Sequence, residues 1–380
     1  MTLLVVFCHR ARRAVLLKEG ACVISRSFLC AVPRRPLAHN RSLGSKQKGS
    51  ALKRWTMLVD PFSSLKVRLP CDVSVKALDP HGYPAADRAF VELLSPNQAE
   101  NLDDVLVQYD KARKQMLVVS ENISSDARID LITPVKFDLD ISTFQKGCVK
   151  IKKMECDNCY VETEKGHSIL NSLKAHKVKV QSRGGNVICL GTIHGNVDIQ
   201  TNSKGFVEID KLQGTNMNIS TTDGALKTRY IYAKSSHLSS SIGNIELGNI
   251  HGSVTIQTEA GAVTVDSSDG NLKATTQQGD LDVYISQLGI VNLLTQEGSI
   301  TLKVPKALRA KLQLSGAMVK ISPELNLQDI DSSTVQDHQT IQGFLNGRGE
   351  GAHVIEAHTV RGMLNIETQS WIESIKLNPS

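Results

Sequence analysis

The chain has 380 residues, 41% of them hydrophobic but only 4% aromatic, and a net charge of +6. A core with so few rings has to be built from Val, Ile and Leu, the residues that fit pleated strands. The positive balance sits in residues 1–54, where twelve Lys or Arg meet the single acid Glu19, giving 12 − 1 = +11 and leaving 6 − 11 = −5 for the rest. A mildly acidic body is not the signature of a nucleic-acid binder, and no apolar run of about 18 residues exists to form a membrane-spanning helix.

The first fifty residues read as an address. Arg10, Arg12, Arg13, Arg26, Arg34, Arg35 and Arg41 are mixed with serines and almost no acid. That is the composition of a mitochondrial transit peptide, which needs an amphipathic, Arg-rich, acid-poor helix. Arg26-Ser27-Phe28-Leu29-Cys30-Ala31 has the form of a matrix-processing site, and Pro33, Pro36 and the Ser/Gly/Lys-rich 41–50 form a linker. A matrix location follows as an expectation. Outside this leader lie Cys71, Cys148, Cys156, Cys159 and Cys189. An odd, irregularly spaced set of thiols points to a reducing compartment rather than a secreted disulfide framework.

Residues 60–130 hold strand-like runs, Leu65–Leu69 and Val105–Tyr109, the second turning at 110–114 into Met116–Ser120. They lack the glycines that mark the next section, so an N-terminal β-subdomain or cap is expected there.

From residue 131 to 305 a repeat takes over. A phrase of glycine, variable, aliphatic, polar, aliphatic begins at Gly185, Gly195, Gly205, Gly224, Gly243 and Gly252, and again at Gly261, Gly270, Gly279, Gly289 and Gly298. Such alternation is the strand period with one face buried, and glycine supplies the tight corner. Turns such as 201–204 and 221–223 are wholly polar, whereas the turns between them hold one aliphatic: Ile193, Leu212, Ile231, Ile250 and Leu288. These step by 19 residues, with Asp269 where one member is missing. Two strands and two unlike corners per 19 residues describe one coil of a parallel β-solenoid, its aliphatic corner stacked inward. In this register Ile231 is buried between Leu212 and Ile250, and Thr228 is solvated. A meander of hairpins would give the strand spacing but not the aliphatic in every second turn. Weaker copies begin at Gly147, Cys159, Gly166 and His176. Residues 306–380 read as a C-terminal cap with a polar insertion at 322–346, closed by Trp371.

The Gly-x-Ile/Val-x-Ile/Val phrases between Thr/Ser-rich turns resemble those of the putative-adhesin β-solenoid family. The resemblance implies this fold and a binding role, and brings no catalytic residues with it.

The candidates for chemistry are few. Cys156-Asp157-Asn158-Cys159 is a CxxC flanked by strands, without the helix N-terminus a redox pair uses or the second pair of ligands that zinc needs. It reads first as a structural thiol, with metal and redox roles as alternatives; Cys159 fills the slot of Val178 and Val197, and Cys189 also points inward. His194 and His251 fall in one corner column with Gln213 and Tyr232 between them, too far apart to share a metal. Gly347-Arg348-Gly349-Glu350-Gly351 lacks phosphate-loop spacing. Outward carboxylates at Asp198, Glu208, Glu246, Asp280 and Asp282 include one close pair, Asp280 and Asp282, of the kind glycoside cleavage uses. Asp329, Asp331, Asp337 and His338 collect in the insertion. The expectation is a non-catalytic binding or scaffolding protein that meets a protein partner, with no catalytic, cofactor-binding or metal-binding residues. A carbohydrate-active enzyme using the outward carboxylates is the alternative.

Overall fold

A computed structural model of the chain describes residues 50–96, 104–347 and 353–370. The leader, most of the Gly347–Gly351 loop and Trp371 lie outside the described residues. The protein is all-β, a parallel β-solenoid, with no α-helix among the described residues.

The first ten strands are β1 (Ser50–Leu58), β2 (Ser64–Leu69), β3 (Asp72–Ala77), β4 (Arg88–Ser95), β5 (Leu106–Asp110), β6 (Gln115–Val119), β7 (Arg128–Thr133), β8 (Asp138–Thr143), β9 (Val149–Lys152) and β10 (Glu155–Thr163). The array follows as β11 (Ser168–Ser182), β12 (Val187–Thr201), β13 (Val207–Thr221), β14 (Leu226–Ile242), β15 (Ile245–Ala260), β16 (Val263–Gln278) and β17 (Leu281–Glu297). Last come β18 (Ile300–Val304), β19 (Ala310–Gly316), β20 (Met318–Ile321), β21 (Leu327–Val335), β22 (His338–Leu345), β23 (Val354–Arg361) and β24 (Met363–Thr368).

Each array strand of 15 to 17 residues holds both short strands read from the sequence, because the parallel ladder continues around the aliphatic corner. Only the glycine turn interrupts it. One limb of each coil, such as Leu226–Thr228, forms face A; the other, such as Ser236–Ser240, forms face B. The corner column runs Leu173, Ile193, Leu212, Ile231 and Ile250, each paired with the next and at most 1% exposed. It then continues through Ser268 and Ile285, not Asp269 and Leu288. The coil after Ile250 is one residue shorter, which brings Ser268 inward and turns Asp269 out. Thr228 corrects a second expectation. It pairs with Ile209 and Leu247 on the core side and is 2% exposed, because the fifth residue of the phrase faces inward whatever its polarity.

The glycine turns have their own internal column. Thr143, Thr163, Ser182, Thr201, Thr221, Ser240, Thr258, Thr276, Thr295 and Thr359 stack coil on coil, and all are buried. Several hydroxyls donate to a glycine carbonyl across the turn, as from Ser182 to Gly185 (2.7 Å) and from Thr221 to Gly224 (2.9 Å). The polar residues at 201 and 221 are therefore internal clasps rather than solvated turn. Glycine is required here by proximity: a Cβ on Gly224 would lie 1.9 Å from the carbonyl oxygen of Gly205 in the coil below.

Both ends depart from chain order. At the N-terminal end β2 lies between β6 and β8, and β3 lies between β7 and β9, all parallel. The segment expected as a subdomain thus supplies coils in register with the array. Antiparallel strands β4 and β1 finish face A, and β5 finishes face B. At the other end β23 inserts between β17 and β19, and β24 between β18 and β20. The polar insertion forms the β21–β22 hairpin, antiparallel to β19, with positive φ at Gln336 and Asp337 making its turn.

Candidate functional site

The aliphatic corner carries an exposed ridge opposite its buried column. His194 pairs with Gln213, Gln213 with Tyr232 and Tyr232 with His251, so the histidines occupy one column as read from the sequence. The Tyr232 and His251 rings stack with centroids 4.6 Å apart, and Lys211 Nζ sits 5.0 Å from the Tyr232 centroid. His251 Nδ1 lies 3.0 Å from Asp269 Oδ2, the residue that the shortened coil turned outward. Tyr230 runs parallel beside Tyr232 with centroids 6.4 Å apart, and both are partly exposed. Tyr232 is thus flanked by Tyr230, His251 and Lys211 while remaining exposed.

Toward the N-terminal end the same corner forms a groove of about 400 Å³ lined by Lys136, Glu155, Cys156, Asp157, His176 and His194, among others. Its charges are matched internally. Glu155 Oε1 meets Lys174 at 2.7 Å and Lys136 at 3.2 Å, and these two ammoniums hold its carboxyl below the usual carboxylate range. Asp157 pairs with His176 at 3.0 Å.

Cys71, Cys156, Cys159 and Cys189 are buried, whereas Cys148 is only partly so. Cys159 is in register with Val178, and Val178 with Val197. A hydrogen bond with Cys156, followed by burial, pushes the Cys159 thiol well up, and burial pushes Cys189 up to about 12. A thiol that stays protonated is a poor nucleophile and metal ligand. Among the described residues no group of three or more His, Cys, Asp or Glu could hold a metal ion.

The outward carboxylates do not converge. Asp280 Oδ1 accepts from the Ser299 backbone N–H at 2.7 Å, while Asp282 is gripped by Lys303 Nζ at 2.6 and 2.8 Å. Glu246 pairs with Lys227 at 2.9 Å, and Asp198 accepts from Asn218 at 3.0 Å and Gln200 at 3.4 Å; Glu208 sits in register with Lys227. Asp198, Glu246, Asp280 and Asp282 are engaged by an adjoining coil, so the acid and base roles of a glycosidase pair are not set up there. In the insertion, Asp331 lies on exposed β21 and Asp337 in the hairpin turn. His338 reaches another element, its Nε2 lying 2.6 Å from Ser315 Oγ and its ring 5.6 Å from that of His358. Burial, and then the neighbouring His338, holds His358 below its ordinary value. Neither Ser315 nor His358 could be found from the sequence, because their meeting depends on the out-of-order coil.

These features define a repetitive β-solenoid with solvated outer faces. The model of the Toastrack DUF4097 family matches residues 94–249 and 195–367, and the chain belongs to that family. It is similar to the crystal structure of a putative adhesin from Parabacteroides merdae, at 11% identity, covering 84% of this chain and 97% of that one with a TM-score of 0.39. A putative adhesin from Bacteroides fragilis is matched at 11% identity over 85% and 99% of the two chains, with a TM-score of 0.30. A protein from Parabacteroides distasonis described as a putative lipid binding protein is matched at 10% identity over 85% and 98%, with a TM-score of 0.30.

Proposed function

We propose that this chain is a non-catalytic scaffold that presents its coil faces to a protein partner, and that it does so in the mitochondrial matrix. The observation that carries the proposal is the pairing of the outward charges, Asp282 with Lys303 and Glu246 with Lys227, which leaves a patterned surface instead of a reaction centre. Catalysis needs unlike groups converging on one point with pKa values driven apart, and the repeating coil works against that. The exposed ridge of Tyr230 and Tyr232 is the contact surface this reading favours, since tyrosine supplies large area at little conformational cost. The matrix location rests on the charge segregation of the leader.

Proximity labelling of the intact chain in cells tests both parts. Matrix proteins should be labelled, and Tyr230→Ser with Tyr232→Ser should remove a discrete subset of them while leaving the rest. Labelling of cytosolic or extracellular proteins would overturn the location. An unchanged set in the double variant would overturn the ridge as the contact surface.

A further inference from the structure

Across the array, charges on adjoining coils alternate in sign: Lys174 meets Glu155, Arg183 meets Glu162, Lys227 meets Glu246 and Arg361 meets Glu297. Glu92 and Asp130 are like-charged partners between β4 and β7, each held by an arginine, and one place brings two cations together. On face A, where the inserted strand β3 meets β9, Lys76 stands in register with Lys152, and Ser74 with Lys150. Among the described strands this is the only position where two Lys or Arg residues are direct partners in the ladder. Like charges placed directly opposite destabilise a sheet, so the arrangement costs stability unless an anion joins it.

The neighbouring acids do not supply that anion. Asp130 is held by Arg128 at 2.6 Å, Glu92 by Arg54 at 3.3 Å, and Asp72 accepts the Cys148 backbone N–H at 3.0 Å. Lys76, Lys150 and Lys152 have no ion-pair partner among the described residues. Together with Ser74, Arg128, Asp130 and Leu131 they line a depression of about 190 Å³, in which Arg128 holds the one carboxylate and the three lysines remain in excess. Ser74 offers a hydroxyl among the four cationic side chains.

We infer that this depression binds a dianionic phosphate group carried as a monoester. Size decides the class of anion. Adjacent strands are ~4.8 Å apart and residues two apart along a strand about 7 Å, so three strands and two positions span only about 7 by 10 Å. That holds one tetrahedral oxyanion with room for its ester oxygen, and is too short to track a nucleic-acid backbone. The local balance also differs from that of the body as a whole, whose negative charge disfavours an extended polyanion. Lysine is suited to the role as a point charge for phosphate. The site lies away from the tyrosine ridge and does not depend on it.

The test uses the full chain, titrated calorimetrically with glycerol 3-phosphate and sedimented with phosphatidylcholine vesicles with and without phosphatidic acid. The expected result is saturable binding that raises the melting temperature and weakens with salt. Lys76→Gln combined with Lys152→Gln should reduce affinity by at least about tenfold without loss of the native circular dichroism spectrum, while Lys227→Gln should leave it unchanged. Binding to glycerol 3-phosphate alone identifies a soluble phosphomonoester as the ligand; a marked gain on phosphatidic acid vesicles identifies a lipid headgroup. No binding to either, or binding that survives the double substitution, overturns the site. Binding of single-stranded RNA through the same lysines, with neither monoester bound, replaces the inference with a nucleic-acid site.

Discussion

The central coils and the two ends of this solenoid use the same local geometry but opposite connectivity. From β11 to β17 each coil rests on the one made just before it, so every contact is between near neighbours in sequence. At the ends a coil from the chain's first or last section enters between two others: β2–β3 inside β6–β7, and β23–β24 inside β19–β20. A linear array is stabilised by each repeat together with its nearest interfaces, and it frays from whichever end is least tied down. Inserting a terminal segment one coil inward gives it partners on both sides. The antiparallel strands beyond it then occupy the open edge.

The largest expected effect comes from removing that tie. A chain truncated after residue 353 loses β23 and β24, opening a gap between β17–β18 and β19–β20. Hydrogen exchange should accelerate to near the unprotected rate in β18 through β22 while protection in β12–β15 persists. Uniform loss of protection would show instead that the array and its end form one cooperative unit.

Within the central coils, Ile231→Asp places a charge in the fully buried corner between Leu212 and Ile250. It should lower stability by about 4 kcal/mol or more, while Asn216→Asp on an exposed position of the preceding coil should stay within about 0.5 kcal/mol. Chemical denaturation of the two variants decides the matter, and similar midpoints would break the 19-residue register. A smaller effect is expected from Thr221→Val. It keeps the shape but removes the hydroxyl that bonds the Gly224 carbonyl at 2.9 Å, costing about 1 kcal/mol in the same measurement.

The smallest effect belongs to the C-terminal end. His358 is partly buried beside His338 and binds its proton less readily in the folded chain than at its ordinary value of 6.5. The unfolded chain therefore takes up more protons in the window below 6.5, and stability is lost there as the pH is lowered. Above that window both states are neutral at this site and its contribution is constant. Melting temperatures across this range should fall less steeply for His358→Asn than for the parent chain.

The central coils were legible because one residue type in one phase repeated often enough to be read. Ile193, Leu212, Ile231 and Ile250 announce their column by spacing alone. Thr228 was misread because polarity was taken as exposure, when the period of two places its side chain inside. The shift from Asp269 to Ser268 turns on a single missing residue, which spacing over whole coils averages away. The ends were opaque because strand order there is set by tertiary pairing between segments of unlike sequence. Leu65–Leu69 was visible as a strand, but nothing local says that its partners are β6 and β8. Lys76 facing Lys152, and Ser315 meeting His338, follow from that order and were hidden with it.

The inserted C-terminal coil also imposes a schedule on synthesis. A ribosome delivers the chain from the N-terminus, and the strands that flank the gap are complete at Ile321, whereas β24 ends at Thr368, about 47 residues later (368 − 321). At roughly 5–20 residues per second the central coils have several seconds to stack while the gap stands open. The earlier-made end must stay loose for that interval, or unlock afterwards, to admit its final strands. From a ribosome or from an import channel alike, the delivery of residues 321 to 368 after the coils that must admit them is thus part of how this fold is reached.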